Sequence, residues 1–106
     1  MAEFGLSERA CRTICTILAK YPEVEQAIIY GSRAKGNYRE GSDIDLTLKG
    51  SQLNQTILGR IWLDLDDSDS PYLFDLSIYH QLTNDNLRSE IDRSGKLFYQ
   101  QEKKLF

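Results

Sequence analysis

The chain has 106 residues, 41% of them hydrophobic and 27% charged, with a formal net charge of −3. That length predicts one domain over residues 1–106, with a real core and no room for a second, and the composition is that of an ordinary soluble globular protein. The acidic balance argues against a direct nucleic-acid surface; no apolar run approaches the ~20 residues of a membrane span, and Met1-Ala2-Glu3 opens no signal peptide, so a cytoplasmic location is expected.

Ser7 reads as an N-cap with Glu8 in the first turn, and Ala10, Cys11, Ile14, Cys15, Ile17 and Leu18 form a helical stripe that runs to about Lys20 before Pro22. Cys11 and Cys15 lie four apart on this helix with the lone His80 far away in sequence, too few ligands for a structural zinc, so they read as reduced, buried small hydrophobes. Residues 24–30 read as the first strand. It ends at Gly31-Ser32, where Arg33-Ala34-Lys35 begins a helical turn, and residues 37–42 have turn composition.

The next strand opens with Asp43-Ile44-Asp45. Alternation puts Asp43 and Asp45 on one face and Ile44, Leu46 and Leu48 on the other, with roughly 7 Å of rise between the carboxylates. Like charges held that close are best tolerated around a cation. Carboxylate oxygens favour Mg²⁺ or Mn²⁺ over zinc. Glycine at Gly31 lets a phosphate approach the backbone, Ser32 adds a hydroxyl, and Arg33 or Lys35 supplies charge. An anion cradle and metal-binding carboxylates would then face each other.

Lys49-Gly50 ends that strand. Ser51 is expected to open a second helix with Leu53, Ile57, Leu58, Ile61 and Leu65 inward and Trp62 at the border of the stripe, more often core than surface. The acidic run of residues 64–69 matches oxygen-ligand positions of a calcium loop. It lacks the glycine, replaced by Asp69, and the terminal glutamate, so a solvated helix end is expected. Residues 72–79 read as the clearest strand, with Tyr72, Phe74, Leu76 and Ile78 on one face and Leu73, Asp75, Ser77 and Tyr79 on the other. A mid-strand aspartate among apolar neighbours is costly unless paired, hydrated or metal-bound. Asp75 is therefore a site candidate on its own chemistry, the plain alternative being an edge-strand carboxylate facing water. Leu82-Thr83 followed by Asn84-Asp85-Asn86-Leu87 reads as a staple and N-cap opening a third helix, with Leu87 and Ile91 inward and Gly95 as its stop. A short strand at Leu97-Phe98-Tyr99 precedes a tail whose apolar residues could dock on a partner.

The order of elements predicts an α/β (α+β) sandwich: a small mixed sheet, helices on one face and the acidic face open. The pattern Gly31-Ser32, ten residues, then Asp43-Ile44-Asp45 resembles the signature of the DNA polymerase β-like nucleotidyltransferase superfamily. The GSRAKG form and short chain are most similar to its minimal nucleotidyltransferases, the MNT proteins paired with a HEPN-domain partner. The resemblance implies a nucleoside triphosphate, ATP, bound at the Gly-Ser turn, with two Mg²⁺ (or Mn²⁺) ions on three carboxylates. Asp43 and Asp45 match the first two and Asp75 the third. It further implies a chain acting as an antitoxin, with transfer of AMP to a hydroxyl on the HEPN-type partner. Larger relatives such as aminoglycoside nucleotidyltransferases add a helical domain that positions the acceptor, and by that resemblance the acceptor site here is expected on another subunit or on the partner. A binding-only antitoxin or regulatory subunit and a small-molecule, antibiotic-type nucleotidyltransferase are the other readings, and a homodimer or hetero-oligomer stays open.

Overall fold

A computed structural model describes residues 3–68 and 70–102. Asp69, and the tail residues Leu105 and Phe106 of the expected docking segment, lie outside the described residues. Helix α1 (Glu8–Ala19) starts where Ser7 accepts a hydrogen bond from the Ala10 N–H. Strand β1 (Gln26–Tyr30) leads through Gly31 into the single turn α2 (Ser32–Lys35), and β2 covers Ile44–Lys49. Then come α3 (Gln55–Asp66), β3 (Phe74–Ile78), a 3-10 turn at Tyr79–Gln81, α4 (Asp85–Ser94) and β4 (Lys96–Gln100). No helix among the described residues is long and apolar enough to cross a membrane.

The sheet is mixed, with strand order β3-β2-β1-β4. β1 runs antiparallel to β2 and β4, and β2 pairs with β3 in parallel. Ala27, Ile29, Ile44, Leu46, Leu48 and Ile78 are buried on one face against α1 and α3, whose Ile14, Leu18, Ile61 and Leu65 are fully buried. Ile61→Ala is expected to cost about 2–5 kcal/mol as a core truncation, checked by denaturant unfolding. Ile57, only half-buried, should cost less.

Three local expectations are corrected. Ser51 does not open α3: its N–H donates to the Glu25 carboxylate at 3.1 Å in the preceding turn, and the helix begins three residues later, capped by Asn54, which accepts from the Ile57 N–H. Trp62 is 41% exposed rather than core, its indole N–H donating to the Phe74 carbonyl on the free edge of β3. Cys11 and Cys15 are free but only half-buried, with burial pushing both thiols up.

The helices α1 and α3 form the expected covered face, and α4 adds to this by crossing the other one. Its Ile91 is buried outside the main core cluster, and Gly95 packs so closely on β1 that a Cβ would lie 2.7 Å from Ile28 Cγ2. α4 therefore covers the β1 side of the acidic face, and Asp43 and Asp75 stay exposed beyond it.

Candidate active site

The acidic face is assembled by strand register. Tyr30 is paired with Asp45 across β1–β2, and Asp45 with Asp75 across β2–β3, neighbouring strands lying about 4.8 Å apart. The expected pair of Asp45 and Asp75 is thus brought side by side by residues thirty positions apart. β3 is an edge strand, as the plainer reading of Asp75 held, but its exposed carboxylate stands beside Asp45. Asp43 lies one residue before β2, exposed, and in electrostatic reach of Asp45.

Burial, then the charges of Asp75, Asp43 and Glu90, push Asp45 up to about 6, against a smaller opposing pull from Arg33. Gly31 abuts this carboxylate. Its backbone, at φ 75° and ψ −151°, lies in a region essentially restricted to glycine, and a Cβ there would stand 2.5 Å from Asp45 Oδ2. The Gly-Ser turn and the carboxylates therefore meet at one point. The turn is short: the Lys35 N–H donates to the Gly31 carbonyl, and Gly36, with φ 84°, closes α2.

The two basic candidates do not behave alike. Lys35 is exposed and its ammonium lies 2.6 Å from Glu90 of α4. Arg33 is turned inward: it is 3% exposed, donates to the carbonyls of Phe4 and Ser42, and has the rings of Tyr38 and Tyr72 at 5.3 and 4.9 Å. Arg33, expected as a charge near the phosphates, instead spends one donor from each of its three guanidinium nitrogens on backbone carbonyls inside the protein.

Two site residues escaped the sequence reading. Tyr30 is buried on the acidic face, its phenol pushed up by burial and then by Asp75. Glu90 adds charge from α4. Aromatic residues are ordinary in strands, and only the paired register shows Tyr30 beside Asp45; Glu90 carries no local signal. Below them the Ser77 hydroxyl donates to buried Thr47 at 2.9 Å.

The donor set fits a hard divalent cation. Its ligands are carboxylate oxygens, and Asp45, held near 6 first by burial and then by the charges of Asp75, Asp43 and Glu90, sits in a negative field that a cation would relieve. Among the described residues no group of three or more His, Cys, Asp or Glu side chains is placed to hold a metal ion by itself. Mg²⁺ seldom needs one, since it is usually held by one or two carboxylates together with substrate phosphates.

A glycine turn abutting strand carboxylates on a small mixed sheet defines a nucleotidyltransferase-type domain. The family described as "Polymerase beta, Nucleotidyltransferase" matches residues 12–104, and the chain belongs to that family. Several solved structures share its fold. One is a toxin-antitoxin with AMP-PNP (TM-score 0.66, 21% identity, covering 87% of this chain and 74% of that chain). Another is the toxin-antitoxin MntA-HepT (TM-score 0.67, 17% identity, 89% and 73% covered). A third is a tri-AMPylated Shewanella oneidensis HEPN toxin in complex with MNT antitoxin (TM-score 0.62, 18% identity, 88% and 71% covered). Among curated protein sequences, none matches.

Proposed function

We propose that this chain is an MNT-type antitoxin that transfers AMP from ATP to a hydroxyl of a HEPN-type partner in a Mg²⁺-dependent reaction. The observation that carries the reaction is the meeting of Gly31 with Asp45 beside Asp75 and Asp43. The partner is suggested by the company of its structural relatives, complexes of MNT antitoxins with HEPN toxins.

In this reading Gly31 lets the triphosphate approach the backbone and Ser32 adds its hydroxyl, with Lys35 leaving Glu90 for the phosphates. Asp43 and Asp45 would hold one ion and join Asp75 in holding a second. What Mg²⁺ supplies when bound is charge neutralisation on the triphosphate and a lowered pKa for the acceptor hydroxyl. The acceptor oxygen bonds to the α-phosphorus, the bond to pyrophosphate breaks, and the hydroxyl proton passes to or through Asp75.

The exposed, uncaged state of Asp43 and Asp75 favours one second reading, a binding-only antitoxin. Incubating the chain with labelled ATP, Mg²⁺ and the protein that co-purifies with it distinguishes the two. Label on the partner, lost with Asp45→Asn, is expected; a stable complex without label would establish the binding-only reading.

A further inference from the structure

Asp43 is the least anchored of the three carboxylates. Asp45 and Asp75 belong to strands whose ladders fix their backbones, but β2 begins only at Ile44 and Asp43 has no partner across the sheet. Two neighbouring peptides locate it. On one side the Ile44 N–H donates to the Leu73 carbonyl at 2.9 Å. On the other the Ser42 carbonyl accepts twice from Arg33, from Nε at 3.1 Å and Nη2 at 2.7 Å.

Arg33 is itself held from several directions. Its Nη1 donates to the Phe4 carbonyl at 2.9 Å, and Tyr38 and Tyr72 bring their rings to it from different loops. Tyr38 in turn lies so close over Gly5 that a Cβ there would reach its ring at 2.2 Å. A buried guanidinium is costly unless its donors are met. Here neutral carbonyls meet them, and among the described residues Arg33 forms no ion pair with a carboxylate. So strong a donor spent on the peptide immediately before Asp43 calls for a reason beyond packing.

Resting on the carboxylate site proposed above, we infer that Arg33 is a positioning residue for Asp43: clamped between Phe4, Tyr38 and Tyr72, it fixes the Ser42 carbonyl and so aims the Asp43 carboxylate at the cation site. The GSRAKG turn then has two outputs. Gly31 and Ser32 face the nucleotide, and Arg33, on the inner side, sets a metal ligand ten residues away.

The test is Mn²⁺ binding to the purified chain, followed by electron paramagnetic resonance without nucleotide. Arg33→Lys is expected to weaken Mn²⁺ binding by about tenfold or more, the range found when groups that orient metal ligands are lost, because lysine cannot fork onto one carbonyl. Tyr72→Leu leaves every hydrogen bond of Arg33 in place, so it is a milder variant that preserves the fold. It should weaken binding in the same direction by less. Once Asp43→Asn is present, adding Arg33→Lys should cost no more, since both act through one ligand. Losses that instead add, or Mn²⁺ affinity unchanged by both Arg33→Lys and Tyr72→Leu, would overturn the inference. So would Arg33→Lys weakening ATP binding in chelator while sparing Mn²⁺, which would make Arg33 a phosphate ligand after all. If Asp43→Asn alone binds Mn²⁺ like the native chain, the carboxylate site itself is wrong and the inference goes with it.

Discussion

Asp45→Asn is expected to raise the melting temperature while removing metal-dependent transfer. The two effects share one cause. Burial and the charges of Asp75, Asp43 and Glu90 hold the Asp45 carboxyl at about 6, above its ordinary value of 3.8. The folded chain thus binds this proton more tightly than the unfolded chain does. Stability contributed by the group is greatest below pH 4, falls as pH rises from 4 to 6, and stays low above that. The full shift corresponds to about 3 kcal/mol, which partial exposure and screening reduce to about 1–2 kcal/mol. Melting scans in chelator should therefore show the variant several degrees above the native chain at pH 7 and level with it near pH 4. Added Mg²⁺ should stabilise the native chain and leave the variant unmoved. Transfer should fall by on the order of 10²–10³ or more, since a bound metal supplies several kcal/mol to the transition state. A variant less stable than the native chain at pH 7 would mean that the acidic face is not repulsive.

Gly31→Ala should be damaging in both respects. The strain of a side chain at φ 75° and ψ −151° costs roughly 1–3 kcal/mol. The new Cβ also requires Asp45 to swing away, because its Oδ2 would stand at 2.5 Å. A carboxylate can swing, so the fold should survive with reduced stability, but the displaced group is the one the proposed chemistry needs. Loss of transfer together with a weakened pH 4–6 transition in stability is expected. Native-like turnover would show that Asp45 has room to spare.

The acidic face was legible in the sequence where spacing alone determines geometry. Alternation along β2 put Asp45 opposite the apolar residues Ile44, Leu46 and Leu48. Asp75, singled out for the cost of burying a mid-strand carboxylate, is instead exposed on the edge strand and joins Asp45 through strand register. What the sequence could not settle depends on distant partners. Ser51 and Asn54 are both good capping residues, and it is Asn54 that accepts from the Ile57 N–H while Ser51 stays in the turn, its N–H on the distant Glu25 carboxylate. Trp62 sits at the border of its stripe, and its exposure follows from β3 being an edge whose Phe74 carbonyl accepts the indole. Arg33 sits in a turn expected to face phosphate. Its burial comes from Phe4, Tyr38 and Tyr72, none of which any local pattern connects to it. The placement of α4 over β1 likewise rests on Ile91 and Gly95 meeting Ile28, a contact with no periodic signature.

The position of β3 at the rim of the sheet has a consequence for how the site fails. Its carboxylate is held by a strand with a single neighbour, β2, whereas Asp45 is bracketed on both sides. Rim strands detach at lower free energy than central ones, so the face can be dismantled by a partial opening that leaves the rest of the protein folded. In the proposed reaction, transfer is then expected to be lost on heating before the fold is, checked by comparing activity and unfolding over one temperature series. Anything that grips Asp75, whether an ion, a nucleotide or a partner, closes the gap between the two.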